Sequence, residues 1–392
     1  MKDIIYFDNA ATTPIRAEVY EEMKPYIEEH YWNASSLYKV ARESERAIEK
    51  ARGQVAEAIG TKREEIFFTS CGSESNNWVL KGVSEALKNK GNHIITTKIE
   101  HHAILHTCEA LEENGYEITY LSVDEYGKIN LEELKNAIKP TTILVSVMFA
   151  NNEIGTIEPI KEIGLICKEK GIYFHTDAVQ ALGHVKIDVN DMNIDFLSLS
   201  GHKLGAPKGV GALYIREGSE IKNLIHGGKQ EKGRRAGTEN VIGIVALGKA
   251  IELAVFEIED TNKRLESMRN KIINSIFSNI DDVRLNGHPI DRLPGNINVS
   301  FDYAEGEAIL MLLDEEGICA SAGSACTTGS LSPSHVLSAI GLSPQVAHGS
   351  LRISIGHQNT EEDIYKLITV LPLIVQRVRA ISPIYKEKIN KM

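Results

Sequence analysis

Tyr173-Phe174-His175-Thr176-Asp177-Ala178-Val179-Gln180 is the stretch on which the reading of this chain turns. A short apolar run delivers an aspartate at what should be the C-terminal end of a strand, and ligands gather outside those ends in open α/β sheets. Further on stands Ser198-Leu199-Ser200-Gly201-His202-Lys203-Leu204-Gly205-Ala206-Pro207-Lys208-Gly209-Val210-Gly211, which sets one lysine, Lys203, in a small polar turn between two apolar runs. A lysine held there loses part of its solvation. Desolvation lowers an ammonium pKa and frees the amine to form a Schiff base. By itself such a residue reads as a surface lysine in a loop; the aspartate on the preceding strand changes its meaning.

Outward from this pair, Ile66 to Phe68, Ile94 to Thr97, Ile118 to Leu121, Ile143 to Met148, Ile172 to Phe174 and Phe196 to Leu199 read as short buried strands. Helical patterns lie between several of them, which predicts an α/β fold with a mostly parallel sheet. From Glu257 the pattern changes: a charged helix over Glu259 to Phe277, a strand at Asn296 to Phe301, a helix at Glu305 to Glu316, a strand at Leu351 to Ile355, and a last helix from Glu361 to Ala380. The expected organisation is a large domain over 15–256 and a smaller α+β domain over 257–392, joined by residues 1–14.

Composition sets limits. A chain of 392 residues, 42% hydrophobic, can bury a large core. Its formal charge of −11 argues against a general nucleic-acid surface, which would be basic. Five cysteines without paired spacing predict no disulfide framework and a reducing compartment, so the expected location is cytoplasmic. Asp3 and Asp8 interrupt the N-terminus where a secretory signal would be apolar. No run approaches the roughly 20 apolar residues of a membrane span; Val241 to Ile258 is broken by Lys249 and Glu252.

An aspartate facing a pyridinium nitrogen, with a Schiff-base lysine on a later strand, is the pairing that pyridoxal phosphate chemistry needs. The patterns His-Thr-Asp-Ala-x-Gln and Ser-x-Ser-x-His-Lys resemble the cysteine desulfurases of the NifS/IscS type, fold-type I enzymes of the class V aminotransferase family. The resemblance runs from Tyr6-Phe7-Asp8-Asn9-Ala10-Ala11-Thr12-Thr13-Pro14 to Leu351-Arg352-Ile353-Ser354. It implies pyridoxal 5'-phosphate as cofactor and L-cysteine as substrate.

The turn Thr69-Ser70-Cys71-Gly72-Ser73-Glu74-Ser75-Asn76-Asn77 follows a strand and opens a helix. Small residues there let backbone amides approach an anion, so Gly72 and Ser73 are candidates for the phosphate. Alone, such a turn is a helix cap. The family pattern is closer to Gly-x-Thr-Glu-Ser, and Cys71 adds a thiol beside the cofactor. By resemblance Ser200 and His202 complete the phosphate cup, and Thr238 reaches the phosphate of a neighbouring subunit, implying a homodimer with composite sites. His101, in Glu100-His101-His102-Ala103, stacks on the ring and assists proton transfer; it is chosen over His102. The rival reading, a metal site from His101, His102, His106 and Cys108, has no standard ligand spacing. The resemblance also implies that Gln180 bonds the ring phenolate and that Asn152 sits beside cofactor and substrate.

Arg352 stands in an otherwise apolar strand and needs a partner. A guanidinium grips a carboxylate bidentately, so that partner is either the substrate carboxylate or an ordinary salt bridge. Cys326 lies in Ser321-Ala322-Gly323-Ser324-Ala325-Cys326-Thr327-Thr328-Gly329-Ser330-Leu331-Ser332-Pro333, small and polar throughout. There it reads as an exposed nucleophile that takes sulfur as a persulfide, whereas Cys108, Cys167 and Cys319 read as structural. An arm of this length implies delivery to an acceptor protein, such as an iron–sulfur scaffold. The readings left beside it are a general aminotransferase, a selenocysteine lyase, and a cofactor-binding sulfur-relay scaffold without its own chemistry.

Overall fold

The structure is a computed structural model that describes residues 4–322 and 333–391. Its strands are β1 Ile5–Tyr6, β2 Ile66–Thr69, β3 His93–Thr97, β4 Glu117–Leu121, β5 Thr142–Ser146, β6 Tyr173–Asp177, β7 Phe196–Ser200, β8 Gly211–Ile215, β9 Val283–Leu285, β10 Asn296–Phe301, β11 Ile318–Cys319 and β12 Ser350–Ser354. Among the described residues seven of them form one sheet in the order β2-β8-β7-β6-β5-β3-β4. β8 pairs antiparallel with both β2 and β7, and the remaining neighbours pair parallel.

Alternation along these strands divides the core in two. Phe68, Ile95, Val145, Phe174 and Leu197 belong to one buried cluster. Their immediate neighbours Phe67, Ile94, Leu144 and Phe196 belong to the other. Successive side chains point to opposite faces, so strands covered on both sides read as continuous apolar runs. The helix Gly72–Leu87 covers the second face with Trp78, Val79, Val83 and Leu87. On that same face β6 and β7 carry polar residues toward their ends, and these become the site.

β6 runs further than its apolar residues suggest, through His175 and Thr176 to Asp177. The polar side chains are tolerated because they have partners: His175 lies between the hydroxyls of Ser146 and Ser198 at 2.8 and 3.0 Å. β5 ends at Ser146, yet the amides of Val147 and Phe149 still donate to the carbonyls of His175 and Asp177. The chain therefore leaves the sheet alongside β6.

A second core gathers Phe7 with Leu265, Ile297, Val299, Ile309, Leu351 and Leu367. It lies under the antiparallel sheet β12-β10-β9 and the helices Ile258–Asn279, Gly306–Glu315 and Glu361–Ile381. β1 joins it by pairing parallel with β11. Among the described residues no single helix is long and apolar enough to cross a membrane.

Candidate functional site

The carboxyl ends of β6 and β7, the start of the helix Gly72–Leu87 and the strand β12 enclose a cavity of about 300 Å³. Gly72, Ser73, His101, Asn152, Asp177, Gln180, Ser200, His202, Lys203 and Arg352, separated widely in sequence, all line it. Thr238 does not; it lines a separate recess with Glu231, Arg235 and Glu239. Cys326 lies outside the described residues.

Asp177 is the last residue of β6 and is 6% exposed. Its Oδ2 accepts from the side-chain amide of Asn76 at 2.6 Å, and its Oδ1 accepts from the amide of Val179 at 3.0 Å. Both oxygens are thereby oriented. Beneath it His175 is fully buried, and burial pushes its pKa down to about 3, so it is neutral.

Lys203 closes a short 3-10 turn directly after β7. Its Nζ donates to the carbonyls of Ala10 and Ala11, both at 2.7 Å. Gln180 donates to the same Ala10 carbonyl at 3.1 Å. The adjacent His202 shares a hydrogen bond with the Thr12 hydroxyl at 3.2 Å, and burial, reinforced by Lys203 and Lys208, pushes its pKa down to about 4.

His101 caps the helix His102–Glu112, with Nδ1 accepting the Ala103 amide at 3.1 Å. Burial lowers its pKa, Asp177 opposes the shift, and Lys203 and His106 add to it. With Nδ1 committed as acceptor, the neutral ring carries its hydrogen on Nε2. Glu100, just before it, is 1% exposed and accepts from Thr97 and the Met148 amide; burial pushes its pKa up to about 8. His102 and His106 stack at 4.8 Å, with His335 also 4.8 Å from His102. Among the described residues no group of three His, Cys, Asp or Glu side chains is arranged to hold a metal.

The cavity wall around Gly72 and Ser200 has the features of an anion cradle. Cys71 occupies the N-cap of the helix Gly72–Leu87 with no side-chain capping bond, so first-turn amides remain for another acceptor. A Cβ at Gly72 would meet Val179 Cγ2 at 2.7 Å, which keeps the backbone at the cavity wall bare. Ser200 Oγ, on a residue 2% exposed, has no hydrogen-bond partner within the protein. A buried hydroxyl in that state is costly unless something fills the site.

Arg352 is 2% exposed and already paired. Its Nη2 donates to Asp8 Oδ1 at 2.7 Å, and its Nη1 donates to the Asn152 carbonyl at 3.2 Å. The salt bridge left open by sequence therefore exists, with a partner from the N-terminal segment. The residues flanking the undescribed stretch are tied to the same wall: Ser321 exchanges backbone hydrogen bonds with Arg352, and Ser334 Oγ donates to Glu153 at 2.5 Å. Cys108 and Cys167 are buried and Cys319 half-buried, and burial raises all three thiol pKa values, to about 12 for Cys108.

Asn76 and Asp8 are the site residues that sequence reasoning passed over. Asn76 lies one turn beyond Gly72 on the same helix, so helical spacing places it on the cavity side. Asp8 carried no such signal.

The description "Aminotransferase class-V" matches residues 5–367. A curated relative, cysteine desulfurase IscS of Methanosarcina thermophila, is 57% identical over 380 residues, covering 97% of this chain and 94% of its own. A solved structure described as a NifS-like protein superposes with a TM-score of 0.90 at 39% identity, covering 95% of this chain and 100% of that one. Another, described as SspA in complex with cysteine, gives a TM-score of 0.80 at 40% identity over 90% of this chain and 98% of that one.

Proposed function

The chain belongs to the class-V aminotransferases and, within them, to the cysteine desulfurases, and from that premise we propose that it holds pyridoxal 5'-phosphate through Lys203, converts L-cysteine to L-alanine, and takes the sulfur onto Cys326 as a persulfide. The residues suit the cofactor: an unpartnered Ser200 hydroxyl, a bare Gly72 backbone and an oriented Asp177 carboxylate line one cavity. When bound, that group supplies an electron sink for a carbanion at Cα.

Gly72, Ser73, Ser200 and His202 would hold the phosphate, and Thr238 of a second copy would complete the cup across a homodimer. The position of Thr238 in a recess apart from its own chain's cavity supports that role. Asp177 would hold a proton on the ring nitrogen, and Gln180 would bond the phenolate. His101 would lie against the ring and offer Nε2–H. Arg352 and Asn152 fix the substrate carboxylate. Lys203, once displaced, removes the Cα proton and returns a proton to the product. The Cys326 thiolate attacks the substrate sulfur; the S–S bond forms as the C–S bond breaks, and the former Cβ becomes the methyl of alanine.

The persulfide then passes to an acceptor protein, and iron–sulfur cluster assembly is the destination we propose. We also propose the division into 15–256 and 257–392 with 1–14, supported by the separate core that holds Phe7. A cytoplasmic location is consistent with the four described cysteines being free.

The convergence of Lys203, Asp177 and Arg352 on one cavity carries this reading. It is tested with purified, pyridoxal phosphate-loaded protein given L-cysteine and a reductant. Equal amounts of alanine and sulfide are expected, with alanine lost in Lys203→Ala and persulfide lost in Cys326→Ser. Persulfide at the native rate in Cys326→Ser, or a keto acid in place of alanine, would overturn it.

A further inference from the structure

Asp8 belongs to a short segment that ties together two parts of the site. Next to Asp8, Phe7 accepts the Ser354 amide at 2.7 Å and Ala10 donates to Ser354 Oγ at 2.9 Å, which fastens the segment along β12. The carbonyls of Ala10 and Ala11 receive Lys203, and the Thr13 amide donates to the His202 carbonyl at 2.9 Å. Between these anchors the Asp8 side chain, 19% exposed, reaches the buried guanidinium of Arg352.

Asp8 and the Asn152 carbonyl hold Nη2 and Nη1 of the guanidinium, while its Nε is buried without a hydrogen-bond partner. A bidentate grip needs two parallel N–H groups. An incoming carboxylate that grips the Nη1/Nη2 edge takes the place of Asp8 on Nη2. The charge accounting favours this exchange: one carboxylate replaces another on a cation that is too deeply buried to be left alone.

We propose that Asp8 is a positioning residue that stands in for the substrate carboxylate: it neutralises Arg352 in the free enzyme and yields it to amino acids that carry an α-carboxylate. The proposal rests on Arg352 being the carboxylate site. Two consequences follow. Asp8 lowers affinity for every α-carboxylated ligand equally, and it leaves amines without a carboxylate untouched, because these have no need to displace it.

The experiment is ligand titration of the pyridoxal phosphate-loaded protein, read from the absorbance of the bound cofactor, with L-alanine and with 2-aminoethanethiol. In Asp8→Asn the dissociation constant for L-alanine should fall about tenfold, the value of one charge-assisted hydrogen bond, while that for 2-aminoethanethiol stays at its native value. The free variant should melt lower than the native protein, and saturating L-alanine should raise its melting temperature by more than it raises the native one. If the amide disturbs the burial of Arg352, Asp8→Ser, which leaves room for water, offers the same comparison. Unchanged or weaker L-alanine binding in both variants overturns the proposal. Arg352→Gln separates the two readings: if it abolishes L-alanine binding while the Asp8 variants change nothing, only the role of Asp8 falls. If Arg352→Gln leaves L-alanine binding intact, the carboxylate site itself has been misplaced and both fall.

Discussion

Asn76 donates its side-chain amide to Asp177 at 2.6 Å, from the first turns of the helix whose N-terminus faces the same cavity. One helix thus serves both the cradle and the carboxylate, with bare amides at Gly72 and a hydrogen bond to Asp177. Removing the amide leaves Asp177 held by the Val179 amide. Asn76→Ala should therefore slow alanine formation about tenfold, the usual worth of a hydrogen bond to a charged group. It should also shift the pH titration of the bound cofactor's absorbance. A native titration curve in the variant would show that Asn76 does not act through Asp177.

Gly72 and Val179 form a coupled pair at the cradle. A Cβ on residue 72 would lie 2.7 Å from Val179 Cγ2, and a β-branched side chain has little rotamer freedom with which to withdraw. Gly72→Ala should weaken pyridoxal phosphate retention measured by equilibrium dialysis. Adding Val179→Ala to the same chain should restore it, a non-additivity expected of touching residues. Equal loss in the single and double variants would place the defect elsewhere.

Stability should fall as pH rises toward the weakly alkaline range. Burial pushes the pKa values of Glu100, Glu153 and Glu158 up to about 8, 7 and 8, from a usual 4.5. Between the ordinary and raised values the folded chain binds more protons than the unfolded one, so stability declines with pH across that window. Their contribution is complete below the ordinary carboxyl pKa and gone above about 8. Glu158 does not line the cavity, so Glu158→Gln isolates the effect. Its melting temperature should decline less steeply than the native one over that window; identical slopes would rule out a raised carboxyl there.

Arg52 and Glu231 form a bidentate pair at 2.7 and 2.8 Å with both side chains 4% exposed, and Glu231 also accepts the Phe68 amide. Glu231→Gln removes the buried partner and leaves Arg52 with the more exposed Glu49 and the Ile66 carbonyl, so the loss should be about 1–3 kcal/mol. Denaturant unfolding measures this directly, and a loss within error of zero would mean that water reaches Arg52.

Much of the architecture was open to reading. The strands at Ile66, Ile94, Ile143 and Phe196 announce themselves because a doubly covered strand is apolar at every position. Candidate residues at strand ends, such as Asp177 and Lys203, were legible for the same reason: where a strand stops is a local property. β6 was read short because His175 and Thr176 look polar, and their acceptability depends on Ser146 and Ser198 from adjacent strands.

The sequence by itself determined six of the seven strands of the large sheet and the residue types available at each strand end, because periodicity and turn chemistry act over a few residues. The tertiary structure decided how those residues are held. Asp8 meets Arg352 across a separation of 344 residues, and Asn76 meets Asp177 across 101. A charge or amide chooses its partner by distance and burial after the chain has folded. No spacing in the sequence encodes which buried cation an aspartate near the N-terminus will come to neutralise.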